Sequence, residues 1–378
     1  MIRDRPDPVI QIELLRFLCA IAVMGAHYGS GFWYAPGRVP HALLNEIGYR
    51  PVDRFGFEYG WIGVQVFFVI SGVMIARSAM HATRAEFLRR RLLRLAPAAW
   101  ICATLTLAIV AGAGLASTEL SLAWARSMLF FPIGEQIDSA YWTIGIELVF
   151  YLLVATVIGR TGGASQLEST ACGLIIISML GAAIPLLDAT YDFSLPPSRA
   201  SDLLLLTHGS FFAIGIMIAQ CQATRTTLRR VSIIGLAAIP AAIQICNQVR
   251  VSTVEAMMVV SPTTALIIGA VAVSLIACAG RTQPVLAAII DPAVARWLGR
   301  MTYPLYLLHM NIGAVAIAVL VANGVAAPAA IGVAACLAIL AAALVTAVLE
   351  PLLASQLRLF LELRHRWPGS GVSPERAG

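Results

Sequence analysis

The chain has 378 residues, of which 59% are hydrophobic and only 12% charged, with a mean hydropathy of +0.83. A soluble domain carries about twice that share of charge, so a sizeable soluble enzyme domain is excluded. The net charge of +6 comes from 26 basic residues that are all arginine, and it is read as setting membrane topology rather than as binding nucleic acid.

Apolar runs long enough to span a bilayer recur from end to end. They predict ten spans, at 10–29, 60–77, 94–115, 141–159, 171–188, 202–221, 231–248, 258–279, 301–322 and 328–351. The fold class is therefore all-α, a polytopic membrane protein: a transmembrane domain over 1–356 and a cytoplasmic tail over 357–378, disordered from 367 on. The first run carries Arg16 and lacks a small-residue cleavage site, so it is expected to stay as a span rather than act as a cleavable signal. With the N-terminus inside, 19 arginines fall in cytoplasmic segments and 6 outside, with Arg16 within a span. That bias predicts both termini in the cytoplasm. The seven cysteines are not spaced as metal ligands, and neither a metal site nor a disulfide framework is expected.

In the first span Arg16 and His27 lie eleven positions apart, close to three helical turns. Both side chains leave nearly one face, about 16 Å apart along the axis. An ionisable group facing lipid costs several kcal/mol, so this face must look into protein or a water-filled cavity. Arg16 reads either as an ion pair with Glu13 or as a site residue, and His27 as an interfacial histidine or a site residue. The loop 30–59 is aromatic (Phe32, Trp33, Tyr34, Tyr49, Phe55, Phe57 and Tyr59) and suits interfacial anchoring or a shelf for an acceptor. In the second span Gly63, Ser71 and Gly72 read as small residues for close helix packing. Gln65 is its one polar side chain of interest.

Arg90, Arg91 and Arg94 share one helical surface at a membrane edge, before Pro97. They read as a topological anchor or as a clamp for a phosphorylated ligand. The segment 119–133 is short and apolar and is expected to lie on or dip into the outer face. Glu147 lies about two turns into the fourth span, as a partner for a buried cation or as a general base or orienting carboxylate. His27 and Glu147 fall at similar depth, which permits a carboxylate-oriented histidine. His208 reads as a packed histidine, and the loop 188–202 could touch an acceptor. Tyr303, Tyr306 and His309 are spaced three apart and would line one face, suited to a channel for a cofactor arm.

These stretches, in this order, resemble the acyltransferase-3 family of integral membrane proteins. The resemblance is carried by Arg16 and His27, by Gly63 to Gly72 (GVQVFFVISG), by Arg90-Arg91-x-x-Arg94-x-x-Pro97, by Trp142-Thr143-Ile144-Gly145-Ile146-Glu147 followed by Phe150-Tyr151, and by Leu298 to His309 (LGRMTYPLYLLH). The departures are Thr143 where the family usually has serine, and Pro304 between the two tyrosines. The resemblance implies O-acyl transfer from a cytoplasmic acyl-CoA, acetyl-CoA by family default, to a hydroxyl of a glycan or lipid-linked saccharide, in a bacterial inner membrane. On that reading Arg90, Arg91 and Arg94 hold the CoA phosphates and Tyr303, Tyr306 and His309 line the path of its arm. Arg16 stabilises charge, and His27, oriented by Glu147, acts as general base or accepts the acyl group itself. The competing class is a proton-coupled transporter or flippase of a glycan-assembly pathway, which needs no CoA clamp. Oligomeric state is not legible.

Overall fold

The computed structural model describes residues 9–29, 39–46, 57–80, 82–158, 163–191, 199–255 and 260–366. The chain forms α1 (Ile10–Gly29), α2 (Val39–Glu46), α3 (Ile62–Ala79), α4 (Arg84–Val110), α5 (Thr118–Met128), α6 (Trp142–Val157) and α7 (Gly163–Tyr191). It continues through α8 (Arg199–Leu203), α9 (Gly209–Ala223), α10 (Leu228–Glu255), α11 (Pro262–Ile289), α12 (Pro292–Ala322), α13 (Ala327–Leu344) and α14 (Glu350–Arg366). Among the described residues nine helical stretches are long and apolar enough to cross a membrane. They expose many large apolar side chains, such as Leu18, Leu152, Leu180, Ile267 and Leu340, as a lipid-facing surface requires. Most of the aromatic loop 30–59 and the expected disordered tail from 367 lie outside the described residues.

The expected sixth span, 202–221, is broken. α8 ends at Leu203, Leu205 turns through a left-handed backbone (φ 60°), and α9 starts only at Gly209. α9 has 15 residues, about 22 Å of rise against the roughly 30 Å of a bilayer core. Twelve consecutive residues, Gly209 to Gln220, are buried, so this helix is wrapped by protein, as an all-round apolar helix should be. Its tightest contact is with α3. A Cβ on Gly215 would stand 2.1 Å from the Val69 carbonyl oxygen, and one on Gly72 2.4 Å from that of Phe212. Only paired glycines let the two backbones meet this closely.

Two further features have local causes. α4 begins at Arg84 rather than near 94, because Thr83 and Glu86 form a reciprocal capping box. The arginine-rich stretch is thus the first three turns of one long helix, with Pro97 inside it. On α13 Ala330, Ala334, Ala338 and Ala342 are all buried at four-residue spacing, a stripe of small side chains that packs against α12 in a second core with Met301, Leu305 and Ala314.

α1 and α12 run parallel and nearly in register. Glu13 meets Gly299 and Tyr28 meets Gly313, so pairing advances almost one for one along both chains. At both points α12 carries glycine: a Cβ on Gly299 would stand 1.6 Å from Glu13 Oε2, and one on Gly313 2.2 Å from the Tyr28 hydroxyl. Bulky α1 side chains therefore sit in two notches on α12, fourteen residues apart.

Candidate active site

Five helices enclose one cavity. Its wall takes Arg16 from α1, Val64, Phe67, Phe68, Ile70, Ser71, Met74 and Ile75 from α3, and Arg91, Arg94 and Leu95 from α4. α6 contributes Thr143, Ile144 and Glu147, and α12 contributes Thr302, Tyr303 and Tyr306. About 90 Å³ of this space admits the centre of a water-sized sphere. The α1–α12 register places Arg16 near the level of Thr302, with Tyr306 one turn further along and His309 nearly another. The cavity therefore has an arginine end, and Tyr306 leads from it toward His309.

At the arginine end, Arg16 Nη1 donates to Glu13 Oε2 at 3.0 Å, and both side chains are mostly buried. The ion pair and the cavity-lining position are thus both true of Arg16. Gly299 makes the room that Glu13 occupies. Arg91 Nη2 donates to Ser78 Oγ at 2.6 Å, and its guanidinium lies 5.5 Å from the Phe87 ring centroid and 5.6 Å from that of Tyr151. These contacts hold it by stacking as well as hydrogen bonding. Arg90 and Arg94 are both exposed, but only Arg94 also reaches the wall, and Arg90 does not line the cavity. The helical wheel explains the split: Arg94 projects between Arg90 and Arg91, so only one flank of the arginine strip turns inward. Two donors on this wall, Arg91 Nε and the Tyr303 hydroxyl, are buried with no hydrogen-bond partner among the described residues.

Glu147 accepts from the Tyr151 hydroxyl at 2.5 Å and from Ser71 Oγ at 3.1 Å. This corrects two expectations. Ser71 is not merely a packing residue, because its hydroxyl faces the cavity beside a carboxylate, while Gly63 and Gly72 do make close contacts. Glu147 does not orient His27 by a hydrogen bond; its carboxylate is taken up by Ser71 and Tyr151, and His27 meets another partner. Thr143 keeps the hydroxyl usual at its position and faces the Tyr306 side chain. Buried Gln65 turns back on its own helix, its amide 2.7 Å from the Trp61 carbonyl oxygen.

His27 instead meets His309. His27 Nδ1 lies 2.7 Å from His309 Nε2, with ring centroids 5.0 Å apart and planes 15° apart. Those values describe two imidazoles joined nearly edge to edge through one N–H···N bond. His309 is fully buried and sits 5.8 Å from the Tyr306 ring, but it is not on the cavity wall. The triplet Tyr303, Tyr306 and His309 is therefore divided: the tyrosines face the cavity and the histidine faces α1.

The level of His309 is set by residues that sequence reasoning missed. The Tyr28 hydroxyl donates to the His309 carbonyl at 2.8 Å. The buried Asp138 carboxylate accepts from the Ala140 and Asn311 backbone N–H groups, each at 2.9 Å. Asn311 Nδ2 donates to the Ile137 carbonyl at 2.7 Å. Asp138 had a legible signal as an acid at the N-cap of the turn leading into α6. Its bond to Asn311, 173 residues away, had none. His208 packs against Phe68 and Trp142 and lies 3.4 Å from Asp202, a packed histidine as expected. In the loop 188–202, Arg199 donates to the Pro132 and Trp142 carbonyls, tying α8 to the start of α6.

Residues 9–348 match the family model described as an acyltransferase domain, nearly the whole chain. Neither a curated protein nor a solved structure matches it.

Proposed function

The chain belongs to the acyltransferase-3 family of membrane proteins, and we propose that it moves an acyl group, acetyl in the first instance, from acyl-CoA to a hydroxyl of a glycan or lipid-linked saccharide. The observation that carries this reading is the cavity, which joins arginines at one end to tyrosines that lead toward a histidine pair. Arg91 and Arg94 suit the CoA phosphates, because guanidinium binds phosphate oxygens with two parallel hydrogen bonds. The unpartnered Arg91 Nε and Tyr303 hydroxyl are further donors for a ligand rich in acceptors. With both termini in the cytoplasm of a bacterial inner membrane, the arginine end faces the compartment that holds acyl-CoA. Arg16, held by Glu13, adds positive charge along the wall where a thioester oxygen would gain negative charge.

His27 is the general base in this proposal. It takes the proton from the acceptor hydroxyl as that oxygen attacks the thioester carbonyl carbon. The C–S bond breaks, and the CoA thiolate recovers the proton from His27. Glu147, hydrogen-bonded to Ser71 and Tyr151, shapes the polar wall between the arginines and the reacting end.

The test uses purified protein in nanodiscs with acetyl-CoA labelled on the acetyl carbon and a panel of glycans, with His27→Ala alongside. Label passing to a glycan hydroxyl in wild type and not in the variant is the expected result. Acetyl-CoA that neither binds nor turns over with any acceptor would overturn the reading and favour a transporter.

A further inference from the structure

We propose that His309 is a positioning residue that sets the tautomer of His27. The tautomer assignment stands on geometry, and its catalytic consequence rests on the general-base reading above.

His309 Nδ1 lies 2.8 Å from the Tyr306 carbonyl oxygen and 3.2 Å from that of Leu305. Carbonyl oxygens only accept, so Nδ1 must carry the proton. A neutral imidazole has one N–H, so His309 Nε2 carries a lone pair. That lone pair faces His27 Nδ1 at 2.7 Å, so His27 Nδ1 is the donor. The lone pair of neutral His27 is thereby assigned to Nε2, the nitrogen able to take a proton. An unrestrained histidine in water favours the opposite tautomer, with the proton on Nε2, which cannot act as a base there. His309 thus converts a backbone constraint into the correct protonation pattern one ring away, as orienting partners of a ring nitrogen do elsewhere.

The device needs His309 at a fixed height, and the fold supplies it. Tyr28 binds the His309 carbonyl from the residue next to His27. Asp138 and Asn311 fasten α12 two residues further on. Gly313 leaves the space that the Tyr28 ring fills. During transfer the hydroxyl proton moves to His27 Nε2, giving an imidazolium whose Nδ1–H still donates to His309 Nε2. The acceptor oxygen bonds to the acyl carbon, the C–S bond breaks, and the proton returns to the departing thiolate.

The test is nitrogen NMR of protein labelled with ¹⁵N-histidine in nanodiscs, with His27 assigned by comparison with His27→Gln, together with steady-state kinetics. In wild type, His27 is expected to show a protonated Nδ1 and an unprotonated Nε2. In His309→Leu the proton moves to Nε2, and kcat falls about a hundredfold, the lower end of what proton transfer contributes. The KM for acetyl-CoA changes less than about twofold, because His309 does not line the cavity. His309→Gln, whose side-chain oxygen can accept the same hydrogen bond, keeps the wild-type tautomer and most of kcat. A wild-type His27 protonated on Nε2 overturns the proposal even if no variant folds, as does an unchanged tautomer in His309→Leu. The expected tautomer alongside a fully active His27→Ala would instead refute the general-base reading and leave the tautomer assignment standing.

Discussion

Replacing Gly299 with alanine tests how Arg16 is held. The added methyl would stand 1.6 Å from Glu13 Oε2, 2.6 Å from Cδ and 2.9 Å from Cβ. The carboxylate can swing aside, but Cβ is fixed to the α1 backbone, so α1 and α12 must also separate by a few tenths of an ångström. Overpacking of this kind costs about 1–3 kcal/mol. Swinging the carboxylate away also strands Arg16, and removing one partner of a buried ion pair costs about 3–5 kcal/mol. The two side chains keep 11% and 16% exposure, which lets water recover part of that second loss. A combined cost of about 3–5 kcal/mol follows, so Tm in detergent should drop by several degrees and kcat/KM by at least about tenfold. The double variant Glu13→Ala with Gly299→Ala removes the carboxylate clash, keeps the 2.9 Å approach to the residue-13 Cβ, and leaves the defect at Arg16. It should regain Tm relative to Gly299→Ala while staying impaired in catalysis. A Gly299→Ala protein with wild-type Tm and activity would refute the reasoning, as would a double variant no more stable than the single one.

Arg91→Ala and Arg94→Ala should each raise the KM for acetyl-CoA about tenfold or more, since a hydrogen bond to a charged group is worth about 1.5–3 kcal/mol. Arg90→Ala should shift it less than about twofold in the same assay, because Arg90 is off the cavity wall. Glu147→Gln should lower kcat without moving the midpoint of the pH–rate profile, because its hydrogen bonds run to Ser71 and Tyr151 rather than to His27; a midpoint displaced by a full pH unit would count against this geometry. Gly215→Ala should lower Tm more than alanine at Gly235, since its methyl meets the α3 backbone 2.1 Å away whereas one on Gly235 meets nothing within 4 Å. Differential scanning fluorimetry distinguishes the two.

The membrane class, the helical character and most spans were legible because they depend on local runs of apolar residues, and the bilayer imposes their length. The pairing of α1 with a polar interior was legible too: Arg16 and His27 share a face, and neither can be left in lipid at low cost. Arg91 and Arg94 were visible as candidates from spacing alone, but their separation from Arg90 was not. It depends on where α4 starts, which its capping box decides, and on which flank meets α3 and α6. The break in the sixth span was not legible, because hydropathy cannot distinguish a continuous helix from one interrupted at Leu205, or a helix wrapped by lipid from one wrapped by protein. The largest revision concerns His27. Depth along two spans made Glu147 a plausible partner, but depth is one coordinate, and hydrogen bonds need three. Only the parallel packing of α1 on α12, keyed by Glu13 at Gly299 and Tyr28 at Gly313, brings His309 to His27 across 282 residues. The residues able to do chemistry can be read from composition and period, while the choice of partner belongs to the tertiary structure, because directional bonds over a few ångströms are decided by how helices pack.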